Sequence, residues 1–267
     1  MIGFGEVGQR FTRDFLTREG VEIAAYDVLF DAAPSGHLKT SSAIAQDLGA
    51  KPAPSAHAAV EGALYVFSAV TADRAEEVAR TTAPLLKRGQ IFVDVNSAAP
   101  ATKRRAAALI SKSGASYLEA AVMAPVLNPG ITVPILAGGP VAETVSADLN
   151  KLGMNLTPVA AEYGRASAMK LCRSIMIKGW EVLLVDCASA ARHWDVESEV
   201  FGSLDASYPS INWRALAADM AERVATHGVR RAAEMREAAD MLADMGLAPD
   251  LSRAVADAQE RGASKKA

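Results

Sequence analysis

The chain opens with Met1-Ile2-Gly3-Phe4-Gly5-Glu6-Val7-Gly8, in which three glycines follow the order G-x-G-x-x-G ahead of an amphipathic stretch. This order is typical of a strand-to-helix turn that holds a pyrophosphate. The first glycine permits a tight turn, the second lets the backbone approach the phosphates, and the third lets the helix pack closely on the sheet. We therefore predict that a dinucleotide is bound by Gly3, Phe4, Gly5, Glu6, Val7 and Gly8.

A second predicted strand, residues 21–26, is followed directly by Asp27. This carboxylate lies about 20 residues beyond the glycine turn, where an acidic residue can bind the ribose hydroxyls of an adenosine. No arginine follows Asp27 closely to hold a 2′-phosphate, so NAD is favoured over NADP. The less favoured alternative is a glycine-rich turn with an incidental surface aspartate.

The strand ahead of the glycine turn is unusual, because only Met1 and Ile2 precede Gly3. A strand usually contains about five residues. Either this first strand is very short or the true start of the chain lies upstream, and the sequence leaves both open.

Composition limits the class of protein. The chain has 267 residues, half of them hydrophobic, and a net charge of −3. That length suits one large or two ordinary domains, and the charge argues against a nucleic-acid partner. No apolar run approaches the roughly 20 residues that span a bilayer, and the opening residues lack the features of a signal peptide. We expect no membrane partner and a cytoplasmic location.

The cysteines and histidines carry no sign of a disulfide or a metal site. Cys172 and Cys187 fall on one predicted helix, too far apart to bond, which fits a reducing compartment. The histidines are scattered without ligand spacing, so we predict no metal site; they are His37, His57, His193 and His227.

Predicted strands alternate with predicted helices through the first part of the chain. The strands cover residues 64–68, 90–95, 116–122, 133–139 and 155–159, with Pro134 suggesting an edge strand. Such alternation indicates an α/β fold with a doubly wound parallel sheet of the Rossmann type. From residue 162 the strands cease, and one long helix is predicted over residues 162–193. We therefore predict a dinucleotide-binding domain at residues 1–161 and an all-helical domain at residues 162–267.

Ligands of open α/β sheets bind beyond the carboxyl ends of the strands. On that ground we expect Ala69, Val70 and Asn96 near the cofactor, and Ser97, Val122, Met123 and Ala124 near a substrate. Ser97 could hydrogen-bond a substrate or the carboxamide of the cofactor, and an equally good interpretation is that it caps the helix that starts near Pro100.

Residues 164–174 place Lys170 among largely apolar neighbours near the start of the long helix. Arg173 and Ser174 lie three and four residues further on, so both can share its helix face. A lysine in an apolar cleft is suited to acid–base chemistry. Spacing alone favours the simpler interpretation, a lysine whose ammonium reaches out to solvent.

In its order of motifs the chain resembles the β-hydroxyacid dehydrogenase superfamily, which includes 3-hydroxyisobutyrate, tartronate semialdehyde and 6-phosphogluconate dehydrogenases. It most resembles the branch with the C-terminal domain called DUF1932. That assignment depends on three stretches: Glu119-Ala120-Ala121-Val122-Met123-Ala124-Pro125, Pro134-Ile135-Leu136-Ala137-Gly138-Gly139 and Arg231-Ala232-Ala233-Glu234-Met235.

The resemblance implies an NAD(P)-dependent dehydrogenase acting on a 3-hydroxy acid or a related small molecule. The family pattern G-x-G-x-x-x-K-x-x-N-N falls on residues 164–174, which makes Lys170 the general acid/base. Arg173 and Ser174 replace the two asparagines of that pattern. The family pattern D-A-P-V-S-G-G falls on residues 119–125, where Met123, Ala124 and Pro125 replace a serine and two glycines and form a more apolar wall.

Positive charge indicates an anionic substrate, since guanidinium groups bind carboxylates and phosphates well. The candidates are Arg173, His227, Arg230 and Arg231; the alternative is solvated helix charge. Two other functions stay open, an imine reductase, which usually lacks the catalytic lysine, and a sensor that binds NAD(H) without catalysis. A long apolar helix also predicts a homodimer.

Overall fold

The computed structural model describes residues 1–30 and 40–264. Predictions that fall on residues 31–39, including the histidine at position 37, lie outside the described residues. The chain divides into two compact units, Met1–Lys170 and Leu171–Ala267, and the boundary between them falls within the long helix, Arg165–His193. The boundary predicted between residues 161 and 162 lies ahead of that helix.

The first unit alternates strands with helices. Its strands are β1 (Ala24–Ala25), β2 (Lys51–Pro52), β3 (Tyr65–Ser68), β4 (Ile91–Asp94), β5 (Ser116–Val122), β6 (Pro134–Gly138) and β7 (Asn155–Ala160). Its helices are α1 (Glu6–Phe15), α2 (Ser41–Asp47), α3 (Ala56–Val60), α4 (Ala75–Thr82), α5 (Pro100–Ser111) and α6 (Ala142–Lys151). The long helix α7 (Arg165–His193) begins in this unit and continues into the second, as the sequence predicts.

The five-stranded sheet has the order β3-β4-β5-β6-β7, and β1 pairs with β2 beside it. Ile2 forms parallel bridges to both Tyr26 and Ser68, so it joins the two sheets. The strand ahead of the glycine turn is thus a single bridging residue among those described. The predicted α/β fold of the Rossmann type is confirmed, with a sheet whose pairings are mainly parallel.

Strands β6 and β7 run against the other three strands, because β6 pairs antiparallel with β5 and parallel with β7. The sequence predicts a fully parallel sheet, so the prediction is wrong for these two strands. The link between β5 and β6 contains only a short 3₁₀ turn, Gly130–Thr132, and a parallel return normally needs a longer crossover with a helix. The edge position suggested by Pro134 is also wrong, because β6 pairs on both sides. Proline is tolerated there as the first residue of the strand.

Alternating residues of the central strands enter two separate cores, one on each face of the sheet. Phe67, Val93 and Leu118 pack with residues of α1 and α6 on one face. Val66, Phe92 and Tyr117 pack with residues of α4 and α5 on the other. Each such side chain contributes roughly 1.5–3 kcal/mol by burial, and helices on both faces make the sheet doubly wound.

The second unit is helical over its described residues. After the remainder of α7 it contains α8 (Glu197–Ser207), α9 (Trp213–Asp244) and α10 (Asp250–Ser264). Helices α9 and α10 approach closely at Gly228, where an added Cβ would lie 2.1 Å from the Gln259 carbonyl oxygen. Cys172 and Cys187 both lie on α7 and form no disulfide. Within residues 1–30 and 40–264, no helix combines the length and apolar character needed to cross a membrane.

Candidate active site

The three glycines of the opening turn have different surroundings. Gly3 has a φ of +88°, and a Cβ there would lie 2.4 Å from the Ala69 carbonyl oxygen. A Cβ on Gly8 would lie 2.3 Å from the Gly3 carbonyl oxygen, whereas one on Gly5 would meet no atom within 4 Å. Close packing therefore requires the first and third glycines, and the second borders open space.

The N-terminus of α1 fits an anionic ligand. Gly5 occupies the cap position and no side chain caps this helix, so its first N–H groups and its positive dipole end can receive a pyrophosphate. Glu6 is exposed and Val7 half-buried in the first turn. The Phe4 side chain is buried edge-on against Phe30, with ring centroids 5.6 Å apart, so only its backbone can serve a cofactor.

Asp27 is bound to the glycine turn itself. Its Oδ2 accepts a hydrogen bond from the Phe4 backbone N–H at 2.6 Å, and its Oδ1 accepts one from the Leu29 N–H at 2.8 Å. A carboxylate has about four acceptor positions, so both oxygens can still accept from ribose hydroxyls. Asp27 thus ties the turn to the end of β1 and offers the acceptors that a ribose needs.

Asn96 joins the ends of two neighbouring strands. Its Oδ1 accepts from the Val70 N–H at 2.6 Å, and its Nδ2 donates to the Ser68 Oγ at 3.0 Å. Asn96 is buried, while Ala69 and Val70 are half-buried. Its amide is used to hold the segment after β3, which in turn lies against Gly3.

A fully buried charge pair lies behind this amide. The Lys103 Nζ lies 2.8 Å from the Asp94 Oδ1, and the Tyr117 hydroxyl donates to the Asp94 Oδ2 at 2.6 Å. Burial, with the Asp94 charge, raises the pKa of Tyr117 well above its ordinary value. The sequence prediction missed these residues, although an aspartate ending a buried apolar strand was a usable signal.

Lys170 and Ser97 are brought together. Lys170 is 9% exposed, and its Nζ donates to the Ser97 Oγ just beyond β4. The solvent-exposed interpretation of Lys170 is therefore wrong. So is the helix cap: Ala99 occupies the cap position of α5, which has no side-chain cap. An amine and a hydroxyl thus meet at the carboxyl end of the sheet, where ligands of such sheets bind.

Residues 119–125, which match the family pattern for substrate binding, begin with Glu119, whose carboxylate binds backbone N–H groups of the protein. Glu119 is fully buried, and its carboxylate accepts from the backbone N–H groups of Gly164 at 2.5 Å and Ser167 at 2.6 Å. Further along, Val122 is buried at the end of β5, Met123 is half-buried and Ala124 is exposed. Only the later residues of this stretch are thus open to a ligand.

The remaining predicted residues lie in the second unit. Ser174 is buried and accepts from the Lys178 Nζ at 2.9 Å, and burial lowers the pKa of Lys178. Arg231 pairs with Glu181 through both arms of its guanidinium, with 3.0 Å between Nε and Oε2. Arg173 and His227 are exposed. Of these, Arg231 is already occupied by a carboxylate of the protein.

Two family models match the chain. One, described as the NAD binding domain of 6-phosphogluconate dehydrogenase, matches residues 1–157. The other, described as a domain of unknown function, DUF1932, matches residues 191–262.

Three solved structures are similar along nearly the whole chain. A conserved hypothetical protein from Sinorhizobium meliloti 1021 is 38% identical, with a TM-score of 0.82 over 98% of this chain and 87% of that one. The conserved protein MTH1747, described as structurally similar to 3-hydroxyacid dehydrogenases, is 30% identical, with a TM-score of 0.76 over 100% and 98%. The 3-hydroxyisobutyrate dehydrogenase of Mycobacterium tuberculosis, solved with L-serine, is 16% identical and shares the fold, with a TM-score of 0.79 over 98% and 92%.

Proposed function

Because the chain belongs to the β-hydroxyacid dehydrogenase superfamily, in its DUF1932 branch, we propose that it is an NAD(P)-dependent dehydrogenase that interconverts a hydroxyl and a carbonyl group on a 3-hydroxy acid or a related small molecule. The buried contact between Lys170 and Ser97 carries this proposal. It supplies a proton-transfer group at the edge of the sheet where the family binds its cofactor.

The glycine turn, the N-terminus of α1 and Asp27 would hold the dinucleotide. When bound, NAD(P) supplies the acceptor or donor of hydride. NAD is the proposed form, because the Asp27 carboxylate would lie beside the 2′-phosphate of NADP and repel it. The contacts of Gly3 with Ala69, and of Val70 with Asn96, connect this turn to the end of β4.

Lys170 would transfer the proton. In oxidation its amine accepts the proton of the substrate hydroxyl, and in reduction its ammonium returns a proton to the carbonyl oxygen. Ser97 accepts a hydrogen bond from the same nitrogen and so fixes the direction in which the amine points. Its own hydroxyl hydrogen stays available for a substrate oxygen.

The proposed substrate combines an anionic group with an apolar one. Met123 stands where the family has a serine, which gives this side of the site a more apolar wall. For the anionic group, Arg173 and Arg231 stay predictions from the sequence: Arg173 is exposed, whereas Glu181 binds the Arg231 guanidinium.

The test is a screen of 3-hydroxy acids and their carbonyl counterparts, followed by NADH absorbance. For an active substrate, Lys170→Met should lower turnover by about 10²–10⁴-fold, the usual contribution of a general acid or base, while NADH affinity stays unchanged. The matched control is Lys151→Met, at a side chain 75% exposed. Full turnover by Lys170→Met would refute the assigned role.

The same screen separates the alternatives. Tight NADH binding with no turnover on any substrate would indicate a sensor. Turnover on imines that survives Lys170→Met would indicate an imine reductase.

We also propose that the protein is cytoplasmic, where a dinucleotide-dependent enzyme has access to its cofactor.

We propose in addition that the chain forms a homodimer through its second unit. Met176 and Leu183 are 68% and 66% exposed on α7, and a spacing of seven residues keeps them on one helix face. We expect a dimeric mass in solution scattering at micromolar concentration and a monomeric mass for Leu183→Glu. A monomeric wild-type protein would contradict the proposal.

A further inference from the structure

Glu119 is a buried carboxylate with an unusual set of partners. It lies within β5, is 0% exposed, and its two hydrogen-bond donors among the described residues are the backbone N–H groups of Gly164 and Ser167. An ionised carboxylate is costly to bury unless its oxygens are satisfied. These two N–H groups belong to the start of α7, so the carboxylate acts as the cap of that helix from a neighbouring strand.

Two glycines make this cap possible. Gly138 is the direct partner of Glu119 on β6, and a Cβ there would lie 2.9 Å from the Glu119 Oε2. Gly164 has a φ of +96°, a conformation that other residues rarely adopt. The first leaves room for the carboxylate, and the second turns its N–H toward it.

The cap closes a loop of contacts that includes the proposed proton-transfer group. Glu119 is the register partner of Asp94 across β4 and β5, and Ser97 follows Asp94 by three residues. Glu119, on β5, accepts hydrogen bonds from the start of α7 and so attaches the first turn of that helix to the paired strands β4 and β5. That helix then brings Lys170 back to the Ser97 Oγ.

We propose that Glu119 is the positioning residue for Lys170: by capping α7 from β5, it sets the rotation and height of the helix at which the lysine amine meets Ser97. This inference rests on the proposed role of Lys170. It also assigns the N-terminus of α7 to the protein's own carboxylate, so a substrate anion must bind elsewhere.

The test uses Glu119→Gln and Glu119→Asp in the full chain. The glutamine keeps the shape but turns one acceptor into a donor that faces a backbone N–H. The aspartate keeps the charge and both acceptors with a shorter reach. The matched control is Glu143→Gln, which removes an exposed carboxylate from the first turn of α6.

Two measurements need no substrate. Hydrogen exchange of residues 164–170 should be about tenfold faster in Glu119→Gln, the effect expected when a helix cap is lost. The second measurement is the rate at which acetic anhydride acetylates Lys170, followed by peptide mass spectrometry at a series of pH values. In Glu119→Gln this rate should also be about tenfold higher than in the wild type, and its dependence on pH should shift. Glu119→Asp should fall between this variant and the wild type, and Glu143→Gln should match the wild type.

Lys103 serves as the internal control for general loosening, since it is a fully buried lysine of the same unit. Faster labelling of Lys170 with unchanged labelling of Lys103 would support the inference. Equal acceleration of both lysines, or no acceleration of either, would overturn it. If Glu119→Gln does not fold, the same comparison is made with Glu119→Asp. Full turnover by Lys170→Met would refute the dehydrogenase mechanism separately, without changing the labelling result.

Discussion

Gly5→Ala and Gly8→Ala should separate cofactor binding from folding, although the two glycines lie three residues apart in one turn. The Cβ added at Gly8 would lie 2.3 Å from the Gly3 carbonyl oxygen, so backbone has to move. Such overpacking costs up to about 3 kcal/mol. Alanine is the better helix former by about 1 kcal/mol, which leaves a net loss of about 2 kcal/mol.

The alanine at position 5 meets no atom within 4 Å, and its φ of −74° suits any residue. Alanine also reduces the conformational entropy of the unfolded chain, which stabilises the folded state by about 0.4–1 kcal/mol. This gain is offset because alanine is a poorer N-cap residue than glycine. The free energy of unfolding should therefore stay within about 0.5 kcal/mol of wild type. Its methyl group, however, fills the space that a pyrophosphate needs. Loss of hydrogen bonds to a charged group, at about 1.5–3 kcal/mol, should weaken NADH binding by about 10–100-fold.

The assay has to report on the first unit. The three tryptophans, Trp180, Trp194 and Trp213, all lie in the second unit, so tryptophan fluorescence would miss the effect. Native-state hydrogen exchange of β4 and β5 measures the stability of the correct unit, and NADH fluorescence measures binding. Wild-type NADH affinity in Gly5→Ala, or wild-type stability in Gly8→Ala, would refute the reasoning.

Three further predictions concern the network behind the site. Lys103→Met leaves the Asp94 charge buried and unpaired, so it should lower the free energy of unfolding of the first unit by about 3–5 kcal/mol in the same exchange assay; a loss below about 1 kcal/mol would contradict this. Tyr117 keeps its proton in the folded protein above pH 10, where the unfolded chain loses it, so its contribution to stability should be full below about pH 10 and fall above it. In a series of denaturant titrations at increasing pH, Tyr117→Phe should reduce the loss of unfolding free energy above about pH 10. Tyr208→Phe, at an exposed position, should leave that loss unchanged. Asp27→Ala should weaken NAD binding in titration calorimetry, because it removes the acceptors for the ribose hydroxyls and releases the Phe4 N–H. It should also narrow the preference for NAD over NADP, because the repulsion of the 2′-phosphate is lost; an unchanged preference would contradict the proposed role of Asp27.

Most of the fold could be predicted from local pattern. Apolar runs bounded by turn residues gave the positions of β3, β4 and β5, and the absence of strand signals after residue 162 gave α7. The direction of β6, which β7 shares, could not be predicted in this way, because a strand has the same apolar pattern whether it runs parallel or antiparallel to its neighbour. What decides it is the length and structure of the link from β5, a property of the connection and not of the strand.

The site was predictable where one rule of topology applied. Ser97 was a candidate because strand ends are visible in sequence, whereas Lys170 became one through the family pattern at residues 164–174, since spacing alone favours a solvent-exposed lysine. Glu119 and Lys103 were not candidates, since each is charged in a buried position, and its role depends on a partner far along the chain. Glu119 fell within a motif associated with substrate, yet its carboxylate binds backbone N–H groups of Gly164 and Ser167.

The replacements at residues 123–125 change the end of β5, whereas the contact between Lys170 and Ser97 lies at the end of β4. Residue 123 lacks the serine hydroxyl that the family pattern has, yet the Lys170 amine has a hydroxyl partner at Ser97, on the neighbouring strand. β4 and β5 are paired in register through Asp94 and Glu119, so their carboxyl ends lie side by side. A change at the end of β5 can therefore reshape the wall facing the substrate without removing the contact at the end of β4. In the proposed mechanism, proton transfer depends on the end of β4 and substrate choice on the end of β5, so the chemistry can be retained while the substrate differs.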